Sequence, residues 1–187
     1  MRNARVFAAF IAVCILFTLP VAYAKDEFEP VIVSAVVSID EDDLTLIAKT
    51  MYGECRRDTI PTAEKAAVAW CILNRVDSED FPDTVAGVLE KNQFHGYKDR
   101  YPVTDDLKAI ALDVMIRWKL EKIGVKDVGR TLPSGYCFFT AYKKSNRFRP
   151  NYEMEDFWDW SLPDPYDDPL YDLDTVLIIP KMKEKIV

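Results

Sequence analysis

The stretch Ala63–Val76, AEKAAVAWCILNRV, constrains the fold more than any other part of the chain. After Lys65 it carries no charge until Arg75, and Ala66 to Leu73 set apolar side chains around most of a helix's circumference. A helix that is apolar all round is stable only where other elements cover it on several sides. The segment is therefore expected to be the buried central helix of the domain. Ile60-Pro61-Thr62 opens it, because proline suits a first helical turn. Asn74 and Arg75 bring polar groups to its end that can reach carbonyls and neighbouring loops.

The flanking sequence supplies elements to surround it. Asp40-Glu41-Asp42-Asp43 provides an N-cap and first-turn acids, followed by Leu44, Ile47, Ala48, Met51 and Tyr52 at helical spacing, with Gly53 where that helix should stop or bend. Phe81-Pro82-Asp83-Thr84 starts a short helix running through Leu89. Thr104-Asp105-Asp106 caps a long one, whose face is Leu107, Ile110, Ala111, Val114, Met115 and Trp118 and whose end is Gly124. The later sequence changes character, and Tyr136–Thr140 and Thr175–Ile179 read as short strands. Between them, Tyr152 to Tyr171 is rich in acids and aromatics, and Pro163, Pro165 and Pro169 argue for an ordered loop. Packing of those aromatics on the core is favoured over a platform for sugar rings. The expected fold class is α+β, mainly helical, with one domain and a short C-terminal β-element.

The N-terminus, MRNARVFAAFIAVCILFTLPVAYA, sets Arg2 and Arg5 before an apolar run and ends in Ala22-Tyr23-Ala24, the pattern of a secretory signal peptide over residues 1–24. Pro20 interrupts the run short of the roughly 20 apolar residues of a spanning helix, so no stable membrane insertion is expected after cleavage. Residues 25–39 read as a linker and 40–187 as the working domain of a secreted, monomeric protein. Loss of the two arginines from 24 basic side chains, set against 31 acidic ones, deepens the net charge from −7 to −9. Such a surface repels phosphate backbones and argues against nucleic acid as a partner.

Beyond the signal the chain keeps Cys55, Cys71 and Cys137, which allow at most one disulfide in any of three pairings or three buried free thiols. The single histidine, His95, has no second imidazole with which to share a metal or complete a triad. Asp164, Asp167 and Asp168 lack the spacing of a calcium loop. Neither a metal nor a cofactor is implied. A thiol enzyme built on Cys55 or Cys137 would lack its histidine partner.

Glu54 follows an apolar helix face and a glycine, so its carboxyl is expected where the helix runs out beside a cleft. Desolvation there would favour the protonated form. A neutral carboxylic acid can donate to a glycosidic oxygen. Several segments together resemble successive motifs of the cell-wall hydrolase family that includes the spore cortex-lytic enzymes. They are Tyr52-Gly53-Glu54 with Arg56 and Asp58, Ala67-Val68-Ala69 with Ile72-Leu73-Asn74-Arg75-Val76, Phe81 to Val88, and Gln93-Phe94. The resemblance covers residues 42–97 and, more loosely, a stretch through Phe139.

That resemblance implies a lysozyme-like helical fold acting on the glycan strands of peptidoglycan, with Glu54 as the catalytic acid. The implied reaction is a lytic transglycosylation between N-acetylmuramic acid and N-acetylglucosamine, in which the muramyl 6-hydroxyl closes on its own anomeric carbon. A hydrolytic muramidase is the nearest alternative, and a non-catalytic wall-binding or assembly protein on the same fold is a third. Tyr52, Gln93, Phe94, Gly135, Tyr136 and Phe139 are the implied saccharide-binding positions, with Gly135 permitting close approach. Asp58, four residues beyond Glu54, is the candidate for a second carboxylate. The family's Glu-Ala-Arg-Gly-Glu reads Glu54-Cys55-Arg56-Arg57-Asp58 here, and Tyr136 stands where a small residue is expected.

Overall fold

The computed structural model describes residues 38–90, 94, 96–153 and 155–167. The signal segment, nearly all of the linker, Gln93, His95, Asp168, Tyr171 and the expected strand at Thr175–Ile179 lie outside the described residues. The described elements are helices α1 (Glu41–Cys55), α2 (Thr62–Asp77), α3 (Val85–Val88) and α4 (Asp105–Lys122), followed by strands β1 (Phe138–Tyr142) and β2 (Ser145–Arg149). The fold is thus mainly helical with a two-stranded antiparallel sheet, as the sequence implies.

Helix α2 is the centre. Ala66 through Leu73 are fully buried, and α1, α3 and α4 all pack on it. The ends of the surrounding helices follow from local chemistry. Asp40 Oδ1 accepts from the N–H groups of Asp42 at 2.8 Å and Asp43 at 3.1 Å, capping α1. Thr84 Oγ1 does the same for Gly87 at the start of α3. Helix α4 stops in a Schellman arrangement: Val125 N–H donates to Leu120 O and Gly124 N–H to Glu121 O, while Gly124 takes φ +92°. Gly53 does not stop α1, which continues two residues beyond it.

Several of the polar groups that α2 and α4 carry into the interior act as ties, although Trp70 Nε1, Asp113 Oδ1 and Arg117 Nη2 are buried without a hydrogen-bond partner. Glu64, in the first turn of α2, is 5% exposed, and its Oε1 accepts the Asn146 N–H of β2 at 2.5 Å. On α4, Arg117 Nε donates to Asp113 Oδ2 at 2.8 Å and its Nη1 to Val128 O at 2.7 Å. Tyr166 Oη adds a third donor to that cluster, at 2.8 Å from Asp113 Oδ2. Burial and the Asp113 carboxylate push the Tyr166 hydroxyl's pKa upward. Trp158 donates from its ring nitrogen to Thr131 O at 3.1 Å and from its backbone to Phe148 O at 2.8 Å. The described part of the acidic-aromatic segment is thus fastened to the core at Trp158 and Tyr166.

The β-element departs from the sequence expectation. The first strand begins at Phe138 and not at Tyr136, because the Tyr136 and Cys137 carbonyls are occupied by side chains of α2. Its partner is the next segment, Ser145–Arg149, paired Phe138↔Arg149 through Tyr142↔Ser145 across the turn Lys143-Lys144. Lys143 has φ 57° in that turn. Cys55, Cys71 and Cys137 are all free and buried, so none of the three conceivable bridges forms.

Burial raises the Glu64 pKa from its ordinary value of 4.5, outweighing the opposing pull of the Asn146 donor. A carboxyl whose native pKa is raised binds its proton more tightly in the folded chain, so its contribution to stability is present in acid and is lost as pH rises through the native pKa. Glu64→Gln keeps an acceptor for the Asn146 N–H and removes the titration. Urea unfolding should show the variant gaining stability relative to the parent as pH rises from about 4 to about 7; a pH-independent difference would contradict this.

Candidate active site

Glu54 occupies the last turn of α1, where the helix has no basic residue. A charged acid at this end opposes the helix dipole, typically by about 0.3–1 kcal/mol, so local helix energetics do not explain its presence. What holds it is tertiary. The Gly96 N–H donates to Glu54 Oε1 at 2.7 Å. Two glycines make this approach possible. A Cβ on Gly53 would fall within 3.0 Å of Gly96 O, C and Cα, and a Cβ on Gly96 would fall within 3.0 Å of Glu54 Oε1, Cδ and Cγ. Gly53 is thus inside the helix because another backbone lies against it, and not as a helix stop.

Glu54 is half-buried. Its charge is felt by Cys55 and by Cys71 of α2, whose thiols are pushed up to about 12, burial being the main cause for both. Burial likewise raises Cys137. Such thiols are poor nucleophiles at neutral pH, which removes support for a thiol enzyme.

From Gly96 the site extends to Phe94, which is buried with its ring 5.9 Å from Phe139 and under the Arg75 guanidinium at 4.5 Å. Arg75 Nε donates to Cys137 O at 2.7 Å. Asn74 Nδ2 donates to Pro133 O at 2.8 Å and to Tyr136 O at 3.0 Å, while its Oδ1 accepts from Arg130 at 3.0 Å. The two polar residues near the end of α2 therefore do not cap it, since it runs on to Asp77. They pin the segment 133–137 to the core. Tyr136, on that segment, is half-buried with its ring edge-on to Trp158 at 5.5 Å. Gly135 is exposed, and no heavy atom lies within 4 Å of where its Cβ would be.

The structure thus ties Glu54 to Gly96, two residues beyond Phe94, whose ring meets Phe139, and fixes the segment bearing Gly135 and Tyr136 through Asn74. Tyr52 packs elsewhere, with its ring 5.2 Å from Tyr101 and the Arg56 guanidinium 5.4 Å above it. Asp58 lies in the exposed turn after α1. Cavities of about 360 Å³, lined by Glu64, Thr131 and Trp160 among others, and of about 710 Å³, beside Arg130 and Ser134, are lined by neither Glu54 nor Phe94. Among the described residues no group of three metal-binding side chains occurs, and no helix is long and apolar enough to cross a membrane. Sequence reasoning missed Gly96, Glu64 and Arg130. Only the scarcity of glycine, six in 187 residues, hinted that Gly53 and Gly96 each had a specific use.

The fold is a helical domain with Glu54 held by the Gly96 N–H at the end of its first helix. A family model described as Cell Wall Hydrolase matches residues 60–156, just over half of the chain, and the chain belongs to that family. The matched stretch contains Phe94, Gly135, Tyr136 and Phe139 and begins after Glu54 and Asp58. Curated relatives include the spore cortex-lytic enzymes of Oceanobacillus iheyensis, 47% identical over 49 residues, and of Bacillus subtilis, 44% identical over 48 residues. Each alignment takes in 26% of this chain, against 17% and 15% of those proteins, so the chain matches only a small part of their length. Among solved structures, the catalytic domain of the Bacillus cereus SleB protein aligns over 57% of this chain and 79% of its own, with 29% identity and a TM-score of 0.40.

The glycine clamp predicts a specific coupling. Gly96→Ala should destabilise the fold by about 1–3 kcal/mol through overpacking against the Glu54 carboxyl. In a Glu54→Ala background, which removes the atoms in the way, most of that loss should disappear in urea unfolding. Additive losses would contradict the clamp.

Proposed function

We propose that the protein cleaves the glycan strands of peptidoglycan as a secreted lytic transglycosylase, with Glu54 as its general acid and base. The observation that carries the reading is the Gly96 N–H bond to Glu54 Oε1, made within a chain of the cell wall hydrolase family. Because Oε1 receives that N–H, the acid proton belongs on Oε2, and the carboxyl is oriented before substrate arrives. Glu54 donates this proton to the glycosidic oxygen as the bond to the muramyl anomeric carbon breaks. The muramyl 6-hydroxyl then attacks that carbon and gives its proton back to the carboxylate. An internal nucleophile removes the need for a second carboxylate, which agrees with Asp58 standing in an exposed turn.

Phe94, Phe139 and Tyr136 would shape the groove and Gly135 would let a sugar approach the backbone, with Gln93 completing it. Tyr52 supports the last turn of α1 through Tyr101. Export by residues 1–24 and action as a monomer on the wall, without a metal, cofactor or nucleic acid partner, belong to the same reading.

Digestion of purified peptidoglycan followed by mass spectrometry tests it. The wild type should release fragments ending in 1,6-anhydro-muramic acid, and Glu54→Gln, which preserves the acceptor for Gly96, should lower the rate by about 10²–10⁴-fold. Reducing muramyl ends would assign the hydrolytic reaction. Full turnover by the variant would overturn the role of Glu54, and a wild type that releases nothing while still binding walls would make the protein a wall-binding one.

A further inference from the structure

The outer face of the β1–β2 hairpin has a composition unlike the rest of this acidic chain. The pairing sets Phe138, Thr140 and Tyr142 opposite Arg149, Arg147 and Ser145 on one face, while Phe148 and Asn146 are buried on the other. Lys143 and Lys144 form the exposed tip.

On the outer face cations and rings alternate. The Arg147 guanidinium lies 3.7 Å from the centroid of Tyr142 and 5.2 Å from that of Phe157. Arg149 lies 4.9 Å from Tyr152 and 5.9 Å from Phe157. Lys143 Nζ is 5.2 Å from Tyr142. Arg149 Nη2 donates to Thr140 Oγ1 at 3.3 Å, whereas stacking satisfies only the flat face of the exposed Arg147 guanidinium, whose planar N–H fork suits a carboxylate. Tyr142 and Tyr152 remain 42% and 72% exposed.

What sets the hairpin apart is that its cations stand side by side on one face, since single cations such as Arg57, Lys98, Arg100 and Lys126 also have no ion pair among the described residues. The chain has 31 acidic against 24 basic side chains, and Lys49, Lys65, Lys108, Lys122 and Arg130 each have a carboxylate within ion-pair distance. Among the described residues Lys143, Lys144 and Arg147 have none, although Glu153, Glu155 and Asp156 follow closely in sequence. Hairpin stability alone asks for fewer charges at a two-residue turn, where adjacent lysines repel each other.

We propose that this face is an anchoring surface for peptidoglycan, in which Arg147, Lys143 and Lys144 bind the free carboxylates of the polymer while the exposed tyrosine rings lie against its sugars. The inference rests on the peptidoglycan reading above and adds to it a wall-binding site made of residues other than Glu54. Charge-assisted hydrogen bonds between guanidinium or ammonium groups and carboxylates supply the attraction. Their exposure makes the binding salt-sensitive.

The test is co-sedimentation of the full chain, in a Glu54→Gln background, with sacculi stripped of phosphate polymers. Combining Lys143→Ala, Lys144→Ala and Arg147→Ala should weaken binding at least about tenfold, with thermal unfolding confirming that the variant is folded. Amidation of the wall carboxylates should weaken the parent to the same degree and the triple variant little further. Unchanged binding by the folded triple variant, indifference to amidation, or binding confined to walls that retain phosphate polymers would each overturn the proposal. Should the triple variant not fold, the amidation arm decides alone. The two readings separate cleanly: an active wild type whose binding ignores these changes sinks the anchoring surface only, and a wild type that binds through it but releases no fragments sinks the cleavage only.

Discussion

A helix buried on every side favours a partner for each polar group it carries, and α2 provides one for Glu64, Asn74 and Arg75, leaving only the ring N–H of Trp70 without a hydrogen bond. An unsatisfied buried donor or acceptor costs about 1–3 kcal/mol, so these three residues dictate where distant segments must run. Glu64 draws in the backbone of β2, and Asn74 and Arg75 draw in the segment 133–137. The central helix therefore does more than fill the core. Its polar residues fix the loop that bears Gly135 and Tyr136 and hold Phe94 beneath the Arg75 guanidinium.

Around that frame, the end of α1 is built against local preference. An acid stands at the negative end of the helix, and a glycine stands within it, where glycine costs about 0.5–1 kcal/mol relative to alanine. Both departures have one explanation, because the backbone at Gly96 comes so close that neither Gly53 nor Gly96 tolerates a side chain. Positions where local rules fail without local compensation are where function is expected. The proposed acid is thus held by tertiary packing, with the Gly96 N–H defining which oxygen accepts.

Much of the helical part was legible in the sequence. Asp40, Pro61, Thr84 and Gly124 mark helix ends through capping and backbone preferences that depend on neighbours only a few residues away. The central position of α2 followed from its lack of a polar face. The sheet was harder to read. Strand β2 has the right alternation, with Asn146 and Phe148 buried, but its charged outward residues and its Lys143-Lys144 turn carry none of the usual hairpin signals. The start of β1 depends on two α2 side chains about 62 residues earlier, which no local pattern reveals. Glu54, Phe94 and Phe139 were singled out by resemblance. The reason for Gly53 was not, since the close approach of Gly96 is a property of the folded chain alone.

The clamp between α1 and Gly96 joins the fold to the chemistry, and nuclear magnetic resonance reads it directly. In a sample labelled with ¹³C and ¹⁵N, the Gly96 amide proton should shift through a single pH transition that coincides with that of the Glu54 carboxyl carbon, and the transition should vanish in Glu54→Gln. A Gly96 amide that does not respond while the Glu54 carboxyl titrates would mean that the bond is absent in solution, and the carboxyl would lose the orientation on which its role as acid depends.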